Sequence, residues 1–286
     1  MEIKSPLISP SVLKAFATDG YFPLRQAIPP PFLQRLQQLT QEWMLREEEP
    51  DCPAHYLDNI RYVSCLENIC NKGNLCALEL LGSPLVLDIA ASICGPDFFP
   101  MQDFVVVKML GDYYGKVEWH QDMLHNRSGT PFSMGIYLDD AAAGDGALRV
   151  VSGSHISGKD ICQLKTEPSI EIPMQAGDIL IHDMMLAHSS GPMQHNALRR
   201  VLYFAFLPTS QVINEALYPA STMHTRTQLL NLAKQYYTLK QVEVSLMTNA
   251  QKTGQSIESE NTFRQQLQEV YSSRARPRAS AYCFER

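Results

Sequence analysis

The chain has 286 residues, 45% of them apolar and 19% charged, which allows a packed core and excludes global disorder. Its net charge is −6, without the basic stripe that marks a nucleic-acid surface. The opening MEIKSPLISP lacks the apolar run of a signal peptide, and no stretch approaches the roughly 18 apolar residues of a membrane span. These features predict a soluble cytoplasmic protein with neither a nucleic acid nor a membrane as partner.

The first predicted helix covers 11–19, with Ser11 as N-cap, a stripe of Val12, Leu13 and Phe16, and a stop at Asp19-Gly20. Tyr21-Phe22-Pro23-Leu24 reads as a short extended piece. Pro29-Pro30-Pro31 opens a second helix whose stripe (Phe32, Leu33, Leu36, Leu39, Trp43) follows a 3.6-residue period. The polar segment 45–75 reads as loop. Pro84 to Ile93 forms a third helix, with Ser83 as N-cap and Gly95-Pro96 as stop. After residue 100 the pattern changes to strands: Phe104–Leu110, Phe132–Leu138, Ala147–Val151, Asp178–Ile181 and Arg200–Leu207, separated by Gly, Asp and Ser clusters. A helix returns near Thr227, and 246–264 reads as polar loop. Helices followed by short, turn-punctuated strands predict a mainly β fold, a sandwich or jelly roll with a helical buttress.

The seven cysteines (Cys52, Cys65, Cys70, Cys76, Cys94, Cys162, Cys283) are odd in number and scattered, and read as reduced thiols. The gaps between Cys65, Cys70 and Cys76 do not match a zinc knuckle. The run Arg274-Ala275-Arg276-Pro277-Arg278 reads as a solvated tail.

Val117-Glu118-Trp119-His120-Gln121-Asp122 contains an HxD pair. On an extended segment, residues two apart share a face, so His120 and Asp122 can converge on one metal ion. An imidazole, a carboxylate and one further imidazole make a facial triad suited to Fe(II), with open positions for other ligands. HxD by itself does not define a site. Four later histidines are in range for the third ligand. His182 lies in the apolar stretch Asp178–His182 and reads as core, His155 follows the Gly153-Ser154 turn, and His195 sits in a polar segment. His188 opens His188-Ser189-Ser190-Gly191-Pro192, with Arg199 eleven positions on. A buried Arg near an iron site has a use, because its planar fork grips a carboxylate with paired hydrogen bonds.

Five segments in order then carry a resemblance. Phe16-Ala17-Thr18-Asp19-Gly20-Tyr21-Phe22-Pro23-Leu24 is similar to an F-x-x-D-G-Y-x-x-L opening. Trp119-His120-Gln121-Asp122 is W-H-Q-D. Gly146 to His155 is similar to G-x-L-x-x-x-P-G-S-H, with Ser152 where proline is usual. Gly177-Asp178 through His188-Ser189-Ser190-Gly191-Pro192 resembles G-D…H-x-S-G-P, and Arg199-Arg200 closes the pattern. Over residues 11–208 the sequence resembles the phytanoyl-CoA dioxygenase (PhyH-like) family of Fe(II)/2-oxoglutarate-dependent oxygenases.

The resemblance implies a double-stranded β-helix (jelly roll, cupin-like) in one domain, 1–286, with residues 209–286 as a helical extension. It implies Fe(II) as cofactor, held by His120, Asp122 and His188, with 2-oxoglutarate and O2 as co-substrates. Arg199 would clasp the distal carboxylate of 2-oxoglutarate, with Ser190 as second contact. Lys108 stands where the family often has a lysine. It faces either the pocket, toward co-substrate or substrate, or the surface. Trp119 and Gln121 alternate away from His120 into packing. Tyr113, Tyr114, His125 and the pair Met184-Met185 are candidates for the substrate entrance, with loop or core roles as the alternatives. The implied reaction is hydroxylation of an unactivated C–H bond in a small metabolite or natural product, with release of succinate and CO2. Asp122 favours this over halogenation, for which related enzymes carry Gly or Ala. A non-catalytic jelly-roll binder or sensor is the competing reading, and a zinc hydrolase would leave Arg199 unexplained.

Overall fold

The computed structural model describes residues 8–45, 54–57, 60–112, 115–123, 128–247, 255–272 and 281–283. Tyr113, Tyr114, His125, Cys52 and the Arg274–Arg278 run lie outside the described residues. The chain runs α1 (Pro10–Asp19), β1 (Tyr21–Leu24), α2 (Pro30–Met44), β2 (Ala54–Leu57), β3 (Ile60–Val63), β4 (Cys65–Glu67), α3 (Cys76–Leu81) and α4 (Pro84–Cys94). The strand-rich part follows: β5 (Phe98–Met109), β6 (Val117–Gln121), β7 (Phe132–Tyr137), β8 (Leu148–Val150), α5 (Ile161–Leu164), β9 (Ile170–Ile172), β10 (Ile179–Asp183), β11 (His188–Ser190) and β12 (Leu198–Pro208). It closes with α6 (Thr209–Asn214), α7 (Ala220–Met247), α8 (Gln255–Tyr271) and β13 (Ala281–Tyr282).

Two antiparallel sheets form a jelly roll. The larger has the order β1-β10-β7-β12-β5-β4 and the smaller β13-β6-β11-β8-β9. One face of the larger sheet packs against helices through Leu36, Leu39, Val86, Ile89 and Tyr236, with Val105, Val107 and Phe204 on the sheet side. Its other face meets the smaller sheet through Tyr137, Leu148, Val150, Leu180 and Val201. The alternation along β12 explains both faces, since successive side chains point to opposite sides. Among the described residues, no helix is long and apolar enough to cross a membrane.

Helix ends follow local chemistry. Ser9, not Ser11, caps α1, accepting from the Val12 amide, because Pro10 fits the first helical position with its fixed φ. Gly20 closes the helix at φ 84°, and a Cβ there would lie 2.6 Å from Nδ1 of His155. Ser83 caps α4 as expected from its sequence.

Two loop expectations are corrected. Segment 45–75 contains β2, β3 and β4, and its Tyr62, Val63, Leu66, Ile69 and Cys70 are fully buried. Strands of three or four residues are too short for their period to stand out against polar neighbours. Segment 246–264 contains most of α8, which docks through Phe263, Leu267, Val270 and Tyr271, an apolar stripe too sparse to stand out from its polar neighbours in sequence. A buried cluster ties this extension to the sandwich. Asp103 on β5 accepts from the Cys70 amide (2.9 Å) and Tyr271 Oη (2.8 Å), and pairs with Arg226 of α7 (3.3 Å). The reading of seven reduced thiols is also corrected, since Cys162 and Cys283 form a disulfide, while Cys65, Cys70, Cys76 and Cys94 are in no disulfide among the described residues.

Candidate metal centre and co-substrate pocket

His120 and His188 are register partners on the antiparallel strands β6 and β11. Cross-strand partners sit within a few ångströms, and here the two ring centroids are 4.0 Å apart. Asp122 follows directly after β6. Its Oδ1 lies 3.3 Å from His120 Nε2 and 3.7 Å from His188 Nε2. One donor atom from each residue lies within 4.8 Å of the other two, and this is the only such metal-ligand cluster among the described residues.

The tautomers follow from the backbone. His120 Nδ1 lies 2.8 Å from the Glu118 carbonyl, and His188 Nδ1 lies 2.8 Å from the Leu186 carbonyl. A carbonyl only accepts, so each Nδ1 donates, which leaves Nε2 on the Asp122 side and, in the neutral ring, its lone pair available to a metal. Burial, reinforced by the His120 charge, pushes the His188 pKa down to about 3, which keeps that ring neutral and able to ligate. Burial opposes charge on His120, but Asp122 outweighs it and raises its pKa. Burial likewise favours the neutral acid at Asp122, yet the surrounding imidazoles hold its carboxyl well below the usual range. Two imidazoles and one carboxylate are a donor set that suits Fe(II).

His182 is where the sequence reading fell short. Its expected role as a satisfied core histidine is half right, since it is buried. However, its Nε2 lies 3.4 Å from Asp122 Oδ2, and Ser133 Oγ donates to the same oxygen at 3.2 Å. His182 and Ser133 are register partners on β10 and β7. One pair of adjacent strands thus delivers two donors to one carboxylate oxygen, leaving Oδ1 turned toward the imidazoles. His155 packs near α1, its Nε2 3.2 Å from the Ala17 carbonyl, and His195 is exposed.

A cavity of about 480 Å³ opens on this cluster. Along β12 it is lined by Arg199, Tyr203 and Ala205, which share one face by alternation. Met101, Phe104, Val106 and Met184 add an apolar wall. Of the expected entrance pair, Met184 lines this cavity and Met185 does not. Arg199 is 1% exposed, and its Nε and Nη2 have no hydrogen-bond partner. A buried guanidinium with unpaired donors is costly and has the geometry for a carboxylate.

Lys108 is the register partner of Arg199 on β5 and is 1% exposed, which rules out the surface alternative. Its Nζ donates to the Ser190 carbonyl (3.0 Å), Ser190 Oγ (2.6 Å) and the Gly191 carbonyl (2.8 Å). Burial, then the adjacent Arg199 charge, pushes its pKa well below the ordinary lysine value. Because Ser190 Oγ accepts from Lys108, its own hydroxyl proton is directed elsewhere, and Ser190 lines the cavity while Lys108 stands behind it. Gly146, at φ 77°, lets the chain pass this point: a Cβ there would lie 2.4 Å from Met193 Sδ and 3.2 Å from Arg199 Cδ.

The profile of the Phytanoyl-CoA dioxygenase (PhyH) family matches residues 16–201, more than half of the chain. L-proline trans-4-hydroxylase of Streptomyces griseoviridis is 26% identical over 164 residues, 55% of this chain and 59% of that protein. The chain thus spans about three fifths of that relative's length. Among solved structures, AviO1 from Streptomyces viridochromogenes Tue57 has a TM-score of 0.62 at 22% identity, covering 71% of this chain and 96% of its own. EctD from S. alaskensis with 2-oxoglutarate and 5-hydroxyectoine has a TM-score of 0.59 at 18% identity, covering 73% and 80%. At these identities the structures establish a shared fold.

Proposed function

The chain belongs to the phytanoyl-CoA dioxygenase family of 2-oxoglutarate-dependent non-haem iron oxygenases, and we propose that it hydroxylates an unactivated C–H bond of a small metabolite or natural product. In this reading His120 Nε2, His188 Nε2 and Asp122 Oδ1 hold Fe(II). Arg199 and the Ser190 hydroxyl hold the distal carboxylate of 2-oxoglutarate, and Lys108 orients Ser190 without touching the ligand. Bound there, Fe(II), 2-oxoglutarate and O2 supply the oxidising power for C–H cleavage, with succinate and CO2 released. The protein's own part is placement. The backbone carbonyls of Glu118 and Leu186 fix the two imidazoles, and His182 with Ser133 fixes the carboxylate. Met101, Phe104, Val106 and Met184 keep water from the substrate end.

One observation carries the reading: two backbone-oriented imidazoles and a carboxylate converge in the same cavity as a buried arginine with unpaired donors. The cavity volume falls within the roughly 300–1,000 Å³ of small-molecule sites, which supports a substrate of that size. We also propose that residues 1–286 act as one domain, with α7 and α8 as an integral buttress. The test is a metabolite panel with Fe(II), 2-oxoglutarate and O2, read by succinate formation and by a product gaining one oxygen atom. The reading expects one compound class to raise succinate above the substrate-free rate. No succinate from iron-loaded protein across the panel, with 2-oxoglutarate still bound, would favour the non-catalytic binder.

A further inference from the structure

The C-terminal strand contributes to the cavity described above, although it lies outside the family match. In β13, Tyr282 pairs with His120 and Ala281 with Gln121, so the tail occupies the edge of β6. The Cys283 amide donates to the Trp119 carbonyl at 2.9 Å. The Tyr282 ring stacks on the His120 imidazole, 4.8 Å away and 5° from parallel, and it lines the cavity. Cys283 is buried among Val151, Ile161, Leu164 and Ala187, and is disulfide-bonded to Cys162 of α5. Asp160 and Gln163 form a capping box around α5, which gives the cross-link a rigid anchor.

A two-residue strand has too few ladder bonds to hold its place unless something ties it down. Here the tie is the disulfide, which joins residues 121 apart in sequence and keeps Tyr282 at high effective concentration over His120. We propose that Tyr282 is a positioning residue of the metal centre, forming one wall of the cavity, and that the Cys162–Cys283 disulfide is the latch holding it there. A dithiol reductant opens the latch by thiol–disulfide exchange. The Cys162–Cys283 S–S bond accepts two electrons and two protons to give two thiols, and the dithiol becomes a disulfide. Once released, the tail leaves the edge of β6, and water reaches the cavity beside His120. The importance of that wall for turnover rests on the oxygenase reading, while the latch itself does not.

The test uses the full chain, untreated and treated with dithiothreitol. Alkylation and mass spectrometry should find Cys162 and Cys283 blocked in the untreated protein and labelled after reduction. Hydrogen exchange of the metal-free protein should show protection in 117–121 falling about tenfold or more on reduction, and equally in Cys162→Ser. With Fe(II) and 2-oxoglutarate but no further substrate, succinate formation should rise in Tyr282→Ala and Cys162→Ser and return to the starting rate in Tyr282→Phe, because the stack needs the ring and not the hydroxyl. Alkylation of both cysteines in the untreated protein, or unchanged exchange in 117–121 on reduction, overturns the latch. Tyr282→Phe behaving like Tyr282→Ala overturns the ring's role. If exchange responds as expected and no variant forms succinate even with the metabolite panel, the latch stands and the oxygenase reading fails.

Discussion

Arg199 and Arg200 are neighbours on β12, yet the two faces of that strand treat them differently. Arg200 points to the helical side, where Asp139 accepts from its Nε and Nη2 (both 2.7 Å), and Gln37 O and Thr40 Oγ1 accept from Nη1 (2.8 and 3.2 Å). Arg199 points into the sandwich, where its Nε and Nη2 have no partner and Lys108 of β5 stands beside it. Both are buried. Folding has satisfied one guanidinium with protein groups and left two nitrogens of the other, Nε and Nη2, without a partner beside a cavity. Burial alone therefore does not separate structure from function; the hydrogen-bond count does.

The comparison can be broken most forcefully at Arg200. Arg200→Ala removes the guanidinium from Asp139, leaving it only the backbone amide of residue 200, and unties α2 from β12, so a stability loss of about 3–5 kcal/mol is expected in urea denaturation. The midpoint for 2-oxoglutarate should stay put in the fraction that remains folded. Arg199→Ala should do the reverse, with a smaller stability change and iron still bound. Its 2-oxoglutarate affinity should drop by about tenfold to a hundredfold, the value of a charge-assisted contact of roughly 1.5–3 kcal/mol. Arg199→Lys should rescue only part of this, because an ammonium cannot make the paired fork contacts. Anaerobic titration of the Fe(II) protein, followed through the metal-to-ligand charge-transfer band, reads both. A shifted midpoint in Arg200→Ala with an unchanged one in Arg199→Ala would reverse the assignment of faces.

His182→Ala sharpens the same contrast at the metal. Removing one of the two donors to Asp122 Oδ2 should weaken Fe(II) by about tenfold, the lower end for outer-shell partners of a metal site. Equilibrium dialysis would show it, and an unchanged affinity would make His182 a packing residue.

The smallest effect concerns Asp178, a fully satisfied carboxylate at the start of β10. Burial opposes its charge, but the amides of Gln175 and Gln26 and the Arg25 guanidinium outweigh it and depress its pKa. Its contribution is therefore present above the unfolded carboxylate value near ~3.9 and is lost as pH falls through the lower folded value. Arg25 is half exposed, so its share is modest. Asp178→Asn should flatten the acid limb of stability below about pH 4. A limb as steep as in the natural chain would remove Asp178 from the account.

Much of this was legible in the chain itself. The HxD spacing, His188 with the Ser190 motif and Arg199, and the order of helices before strands were all local patterns with a period or a motif behind them. The remaining features depend on pairing between distant segments. The link from His182 to Asp122 needs β10 to lie beside β7, and an apolar run around a histidine reads equally well as core. The Tyr282 stack and the Cys162–Cys283 pair need the chain end to return to β6, which no periodicity announces. The strand content of 45–75 was hidden because each strand is only three or four residues long.

The central claim, that His120, Asp122 and His188 rather than His182 hold the iron, is tested most directly by Fe(II) stoichiometry and affinity in His188→Ala and His182→Ala side by side. The account predicts that His188→Ala loses stoichiometric iron and the charge-transfer band, while His182→Ala keeps both with weakened affinity. Full iron binding in His188→Ala together with its loss in His182→Ala would contradict it.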